Sequence, residues 1–242
     1  MNTYKIADKI IEINSVYPNV HELCCEYAFD GKADICLTTT QADIEYEKKV
    51  SAIESAKEGH PERTFSEGYL ETLAAYRKLA EALLEFDTFL FHGSAIEVDG
   101  ESYIFTAKSG TGKSTHTRLW REYFGERAVM INDDKPLIKL NDHGAVVFGT
   151  PWDGKHHLSV NASAPLKAVC VLERGKENSI ERLNKSEAYP ILLAQIYRPR
   201  DPDNMVKTLA LADRLCGAVT LHRLKCNMDI EAARVAYEGM NK

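Results

Sequence analysis

Two stretches of this sequence carry residue types that can do chemistry on phosphates. The first is Ala107-Lys108-Ser109-Gly110-Thr111-Gly112-Lys113-Ser114-Thr115, a small-residue turn closed by a lysine and hydroxyls. A polyphosphate is approached by backbone amides, and glycine at 110 and 112 keeps Cβ atoms out of that approach. The spacing meets G-x-x-x-x-G-K-[ST] with one departure, Ala107 in place of the first glycine. In that pattern Lys113 reaches the β- and γ-phosphates of a nucleoside triphosphate and the Ser114 hydroxyl enters the Mg²⁺ shell. ATP and Mg²⁺ are therefore the expected ligands, with Ser109, Gly110, Thr111, Gly112, Lys113, Ser114 and Thr115 as the nucleotide-binding set. A chance glycine turn before a helix is the alternative, and the sequence on both sides argues against it.

The second stretch is Asn132-Asp133-Asp134, at the end of the apolar run Ala128-Val129-Met130-Ile131. Adjacent carboxylates there are costly unless a cation or partners hold them. One can bind Mg²⁺, directly or through water, while the other takes a proton from an attacking hydroxyl. A strand-end pair that faces solvent or caps a turn is the plainer reading. Further on, Gly149-Thr150-Pro151-Trp152-Asp153-Gly154-Lys155 brackets one acid and one base between glycines. Lys155 either contacts the γ-phosphate or the substrate, or is a solvated loop lysine. His156 and His157, adjacent in an extended segment, point apart and do not converge on a metal.

These groups need elements to carry them. An apolar run through Ile104-Phe105-Thr106 predicts a strand into the turn, and an amphipathic segment from Lys113 to Phe124 predicts a helix that Gly125 stops. The run 89–98 turns at Asp99-Gly100 and returns as 102–106, a hairpin signal. The strand entering the phosphate loop is thus antiparallel to its predecessor, and the sheet is mixed. One helix and one strand after Ser114 bring the Asp133/Asp134 pair back to the loop. A second hairpin is predicted over 137–140 and 145–148, then a strand over 168–173, helices over 186–197 and 204–215, a strand over 219–224, and a last helix capped by Asn227. Upstream, 6–13 and 34–38 read as strands. Thr40 with Asp43 starts a helix, 57–63 is a polar loop, and Thr64 with Glu67 forms a capping box before a helix with Leu70, Leu73, Tyr76, Ala80, Leu83 and Leu84 on one face. The expected organisation is α/β with a mixed sheet, a small α/β region over 1–87 and a phosphate-loop core over 88–242.

A chain of 242 residues at 44% hydrophobic can bury a core. Its net charge of -6 without a basic cluster argues against a nucleic-acid surface. No apolar run approaches the ~20 residues of a spanning helix, and the first residues lack a signal-peptide core, so no membrane partner is expected. The six cysteines show no C-x-x-C spacing and sit mostly in apolar surroundings, which points to buried thiols in a reducing, cytoplasmic setting. The Arg198-Pro199-Arg200-Asp201-Pro202-Asp203 segment reads as an exposed loop whose arginines contact phosphate or simply face solvent.

Over residues 92–174 the sequence resembles the HPr kinase/phosphorylase family and, in the same motifs, ATP-dependent phosphoenolpyruvate carboxykinase. The likeness rests on His92-Gly93 before the loop, the loop itself, and Asp133-Asp134. It implies that Lys113 and Ser114 bind triphosphate and Mg²⁺, that one of Asp133 and Asp134 is the catalytic base while the other helps hold metal, and that His92 lies beside the transferred phosphoryl group. The carboxykinases' large amino-terminal domain has no counterpart here, and Gly149 to Lys155 differs from the Arg-Gly-x-Gly signature of true HPr kinases. The closest likeness is to short HPr-kinase-like proteins, some of which phosphorylate serine in a peptide or protein. The leading expectation is a Mg²⁺-dependent kinase acting on a hydroxyl of a peptide or small protein. A small-metabolite kinase and a nucleotide-responsive binding protein are the alternatives, and assembly into a homo-oligomer is left open.

Overall fold

The computed structural model describes residues 2–57, 64–108, 110–154 and 156–242. The expected loop over 57–63 therefore lies, beyond residue 57, outside the described residues. The chain divides into two compact units, Met1–Ala82 and Leu83–Lys242.

In the first unit, β1 (Thr3–Ile6) and β2 (Lys9–Asn14) form an antiparallel hairpin, and β3 (Ile35–Thr38) lies parallel to β2. The single strand expected over 6–13 is thus two strands, because Ala7 and Asp8 both take positive φ (50° and 62°) and reverse the chain in two residues. A short helix α1 (Asn19–Leu23) precedes β3, and α2 (Gln41–Lys57) and α3 (Glu67–Leu83) follow it. Asp43 takes hydrogen bonds from the Thr40 amide and hydroxyl, as the expected helix start requires. Before α3 the cap is Ser66, whose hydroxyl accepts from the Tyr69 amide at 3.2 Å, and not the expected Thr64. Glu67 instead receives the Tyr17 hydroxyl. Glu71 is fully buried and accepts from the amides of Val16 and Tyr17 and from the Thr39 hydroxyl, which fixes the chain leaving β2.

The second unit is one mixed sheet. Its strands are β4 (Thr88–Leu90), β5 (Ser94–Val98), β6 (Glu101–Thr106), β7 (Ala128–Asn132), β8 (Leu137–Asn141), β9 (Gly144–Phe148), β10 (Ser163–Arg174), β11 (Ser179–Arg182) and β12 (Thr220–Cys226). They run in the order β4-β8-β9-β10-β6-β5-β7, with β12 also on β10 and β11 on β12. Both predicted hairpins form. Asp99 and Gly100 turn with φ 55° and 84°, so β5 returns antiparallel as β6, while β6 and β12 lie parallel to β10.

The helices are α4 (Lys113–Phe124), α5 (Lys185–Leu193), α6 (Pro202–Ala218) and α7 (Glu231–Met240). They cover the sheet on both faces. Ile104 and Val169 cluster with Leu192, Leu211 and Leu215 from α5 and α6. Their sequence neighbours Phe105 and Cys170 cluster with Trp120 of α4 and Ala233 and Ala236 of α7. Strand alternation sends adjacent residues to opposite faces, and with both faces covered, β6 is buried from Ser102 to Thr106.

Several boundaries differ from expectation for tertiary reasons. The run 89–98 breaks at His92-Gly93, because β4 pairs with β8 whereas β5 pairs with β6 and β7. The helix expected over 186–197 stops at Leu193, since Ile196 bridges Phe91 and the Tyr197 amide donates to Leu90 O. The strand expected over 168–173 is longer because its first three residues pair with β9. Asn227 does not cap α7; its side chain accepts from the Asp229 amide in the turn before it.

Candidate functional site

The site forms at one end of the strands, where β6, β7, β10 and β12 finish and β5 begins. The Thr106 hydroxyl donates to His92 O at 3.1 Å, the His92 amide to Gln195 O at 2.7 Å, and the Gly93 amide to Asp134 O at 3.0 Å. Ser94 Oγ donates to Asp133 O at 2.8 Å. The segment before β5 is thereby stitched both to the strand that feeds the phosphate loop and to the aspartate pair. A Cβ at Gly93 would come 2.9 Å from Ile104 Cγ2 and 3.1 Å from Phe105 O, so this close approach depends on glycine.

The loop itself turns through Gly110 (φ 74°) and Gly112 (φ 121°), conformations that side chains resist. Nothing crowds the position of a Cβ at Gly110, and at Gly112 only Thr115 Cβ comes within ordinary contact at 3.9 Å, so the need for glycine there lies in the backbone. Gly112 caps α4 with no side-chain hydrogen bond, and the first turn holds no acidic residue. The amides of that turn and the positive end of the helix dipole are free for an anion. Ser109 and Lys155 lie outside the described residues.

Lys113 extends from this turn to within 3.3 Å of His92 Nε2, which is also 3.3 Å from Asp134 Oδ1. One ring nitrogen can donate to the carboxylate or accept from the ammonium, but not both. The trio is thus incompletely satisfied until another group draws Lys113 away. Burial pushes the Lys113 ammonium below its ordinary pKa, and the Asp134 charge partly opposes that. Burial would raise Asp134, but the His92 hydrogen bond and the charges of Lys135, His92 and Lys113 outweigh it and hold the carboxyl below the usual range. Asp134 is therefore ionised at neutral pH.

Asp133 is nearly buried, and Oδ1 accepts from the Gly154 amide. A Cβ at position 154 would stand 2.7 Å from Asp133 Oδ2, so the chain over 149–154 closes on the carboxylate through a glycine. Together Lys108, Lys113, Ser114, Asp133, Asp134 and His156 border a cavity of about 410 Å³. His157 turns the other way, onto Asp153 at 2.9 Å. Among the described residues no group of three or more His, Cys, Asp or Glu converges as a metal site.

Three further groups shape this site without having been singled out in the sequence. Asn132, wholly buried, accepts from the amides of Asp134 (3.0 Å) and Lys135 (2.6 Å) and donates to Thr150 Oγ1 (3.0 Å). It holds the turn that presents both carboxylates; its place at the end of an apolar strand was the available signal. Arg174, at the end of β10, donates to Gly110 O at 2.6 Å and braces the phosphate loop. The Asp153 carboxyl is pushed up by burial and by the Asp133 charge, with the His157 hydrogen bond opposing. Arg198 and Arg200 are exposed, as expected.

No protein-family model matches the chain, and no curated protein does. Among solved structures it is similar to the HPr(Ser) kinase/phosphatase from Coxiella burnetii, at 10% identity and a TM-score of 0.32, over 62% of this chain and 94% of that one. That likeness is too loose to carry residue roles across, so the chemistry is read from the side chains themselves.

Proposed function

We propose that this protein is a kinase that moves the γ-phosphoryl group of ATP to a hydroxyl, with a serine of a peptide or small protein as acceptor. The observation that carries the reading is the juxtaposition in one cavity of an uncapped helix N-terminus, a half-buried lysine and a carboxylate held ionised. An uncapped amide turn recruits phosphate; a fixed carboxylate next to it serves no purpose in anion binding alone and repels the anion unless it holds a cation or takes a proton.

The amides of residues 112–115 and the Lys113 ammonium hold the polyphosphate, and Lys113 leaves His92 to do so. His92 Nε2 is then free to donate to Asp134. Ser114 and the two aspartates are hard oxygen donors of the kind Mg²⁺ takes in small number beside substrate phosphates. When bound, Mg²⁺ supplies charge neutralisation on the phosphoryl oxygens. One aspartate orients the acceptor hydroxyl and receives its proton, and the glycine-closed loop over Asp133 limits water at that carboxylate. Lys155 is the further cation we assign to the phosphoryl group or the acceptor. The motif likeness to HPr-kinase-like proteins names the serine as acceptor class, and six unbonded thiols agree with a reducing, cytoplasmic setting. Among the described residues no helix is long and apolar enough to cross a membrane.

Titration of ATP with Mg²⁺ into the purified protein tests this reading alongside three variants. Lys113→Ala is expected to lose triphosphate binding. Asp133→Asn and Asp134→Asn are expected to keep it, with the variant that removes the base slowing transfer by roughly 10²–10⁴-fold and the other raising the Mg²⁺ concentration needed. Full turnover in both aspartate variants contradicts the assignment.

A further inference from the structure

A second cavity, of about 530 Å³, opens between the last turn of α5 and the ends of β6 and β10. α5 stops at Leu193, where the chain turns in to bridge Phe91 through Ile196, so no further helical turn covers the strand ends there. This space adjoins the site described above. Lys108 and Thr111 border both it and the phosphate cavity. Two of its other walls hold His92 by the backbone: the Gln195 carbonyl accepts from the His92 amide at 2.7 Å, and the Thr106 hydroxyl donates to His92 O at 3.1 Å. His92 Nε2 in turn stands 3.3 Å from Lys113 Nζ and from Asp134 Oδ1. An occupant of this cavity therefore lies next to the groups assigned to the γ-phosphoryl group and the acceptor hydroxyl.

Its chemistry differs from that of the phosphate cavity. Ala107, Val171, Leu172, Ile191 and Ala194 supply an apolar wall. The charges at the end of β10 are already matched, since Glu173 pairs with Arg223 at 3.0 Å and Arg174 donates to Gly110 O at 2.6 Å. A charge placed there without a partner is costly, whereas an apolar side chain gains by leaving water, so the cavity suits a neutral, apolar group. A small polar metabolite has no use for such a wall, but a peptide does. Two residues along an extended chain advance about 7 Å and return the side chain to the same side. That is close to the breadth of a cavity of this size. A further cavity, of about 540 Å³, lies on the α4 flank of the loop; it meets the phosphate cavity through Gly110 and Gly112, and among the described residues none of its walls bonds to His92.

We propose that the cavity beside α5 holds an apolar side chain of the acceptor peptide, two residues from the serine that receives the phosphoryl group. This rests on the kinase reading above and deepens it, by naming what the acceptor carries beside its hydroxyl.

Peptides with a single serine and mixed residues at the two positions on each side are incubated with the full chain, Mg²⁺ and γ-labelled ATP, and the labelled products are sequenced. The expected result is that Leu, Met or Phe at one position two residues from the serine raises kcat/KM about tenfold or more over Asp or Lys there. Ala194 is exposed at the end of α5, and Ala194→Trp fills the cavity from its rim. This variant is expected to raise KM for the preferred peptide about tenfold and to erase the preference, with kcat and Mg²⁺-ATP binding unchanged. A change that merely loosened His92 would lower kcat for every peptide alike. Ile191→Ala widens the same wall and is expected to shift the preference towards larger side chains. Phosphorylation without an apolar preference overturns the cavity assignment and leaves the kinase standing. A preference that is the same in both variants also overturns it, since the side chain then sits elsewhere. Binding of Mg²⁺-ATP without label in any peptide overturns the peptide acceptor and the cavity assignment together.

Discussion

Asp134 shows how one residue's surroundings set its state. Burial works against its charge, and His92, Lys135 and Lys113 restore it. A carboxyl whose folded pKa lies below its unfolded value adds stability above the unfolded value, near 3.9, and that stability is lost as pH falls through the folded one. Asp134→Asn is therefore expected to unfold at lower urea than the wild-type protein at pH 6, with the gap closing below about pH 4. A gap that stays constant down to pH 3 would mean that the carboxylate charge is not what stabilises the fold there. At this scale the sequence was readable where chemistry is local. Lys113 and Ser114 stand at fixed offsets from two glycines, and Asp133 and Asp134 end an apolar run. Arg174 was not readable, because its partner is tertiary: it meets Gly110 across 64 residues of chain. Asn132 and Asp153 bond to near neighbours, the Asp134 and Lys135 amides and His157, but what those bonds hold in place is decided by the fold.

Among the elements, those with strong local signals formed where the pattern put them. Lys113–Phe124 is a helix with the bounds that periodicity and Gly125 indicate, and Asp99-Gly100 makes the hairpin. Where local signals were weak, tertiary pairing decided. Ala7-Asp8 lacks the glycine or asparagine that announces a two-residue turn, and β11, with exposed Ser179, Glu181 and Arg182, has little apolar alternation to betray it. The helix start at Gly112 is the element on which binding depends most. Its φ of 121° is strained for any side chain, at roughly 1–3 kcal/mol. Gly112→Ala is thus expected to weaken tripolyphosphate binding at least tenfold in a titration while urea unfolding shifts only modestly. Unchanged binding would show that the loop's amides are not set by this backbone geometry.

On the scale of the whole molecule, every described residue assigned to the site lies in Leu83–Lys242, and so do both apolar clusters beneath it. A chain of residues 83–242 is accordingly expected to bind Mg²⁺-ATP as the full chain does, measured by the same titration. Loss of binding in a folded fragment would assign residues 1–82 a part in the nucleotide site. The mixed sheet was legible from its hairpins, because an Asp-Gly turn into the phosphate strand requires an antiparallel neighbour. The path of β10 was not: pairing with β9, β6 and β12 in turn is a property of the closed sheet and leaves no local trace.

The central claim is transfer of the γ-phosphoryl group to a hydroxyl, and the most direct measurement is label transfer from γ-labelled ATP. The purified protein is incubated with Mg²⁺ and size-fractionated cell extract, with Lys113→Ala as the blank. The expected result is Mg²⁺-dependent label in a macromolecular fraction, recovered as acid-stable phosphoserine and absent from the blank. Label recovered only in small molecules would contradict the peptide or protein acceptor, and no transfer by a protein that binds ATP would contradict the kinase itself.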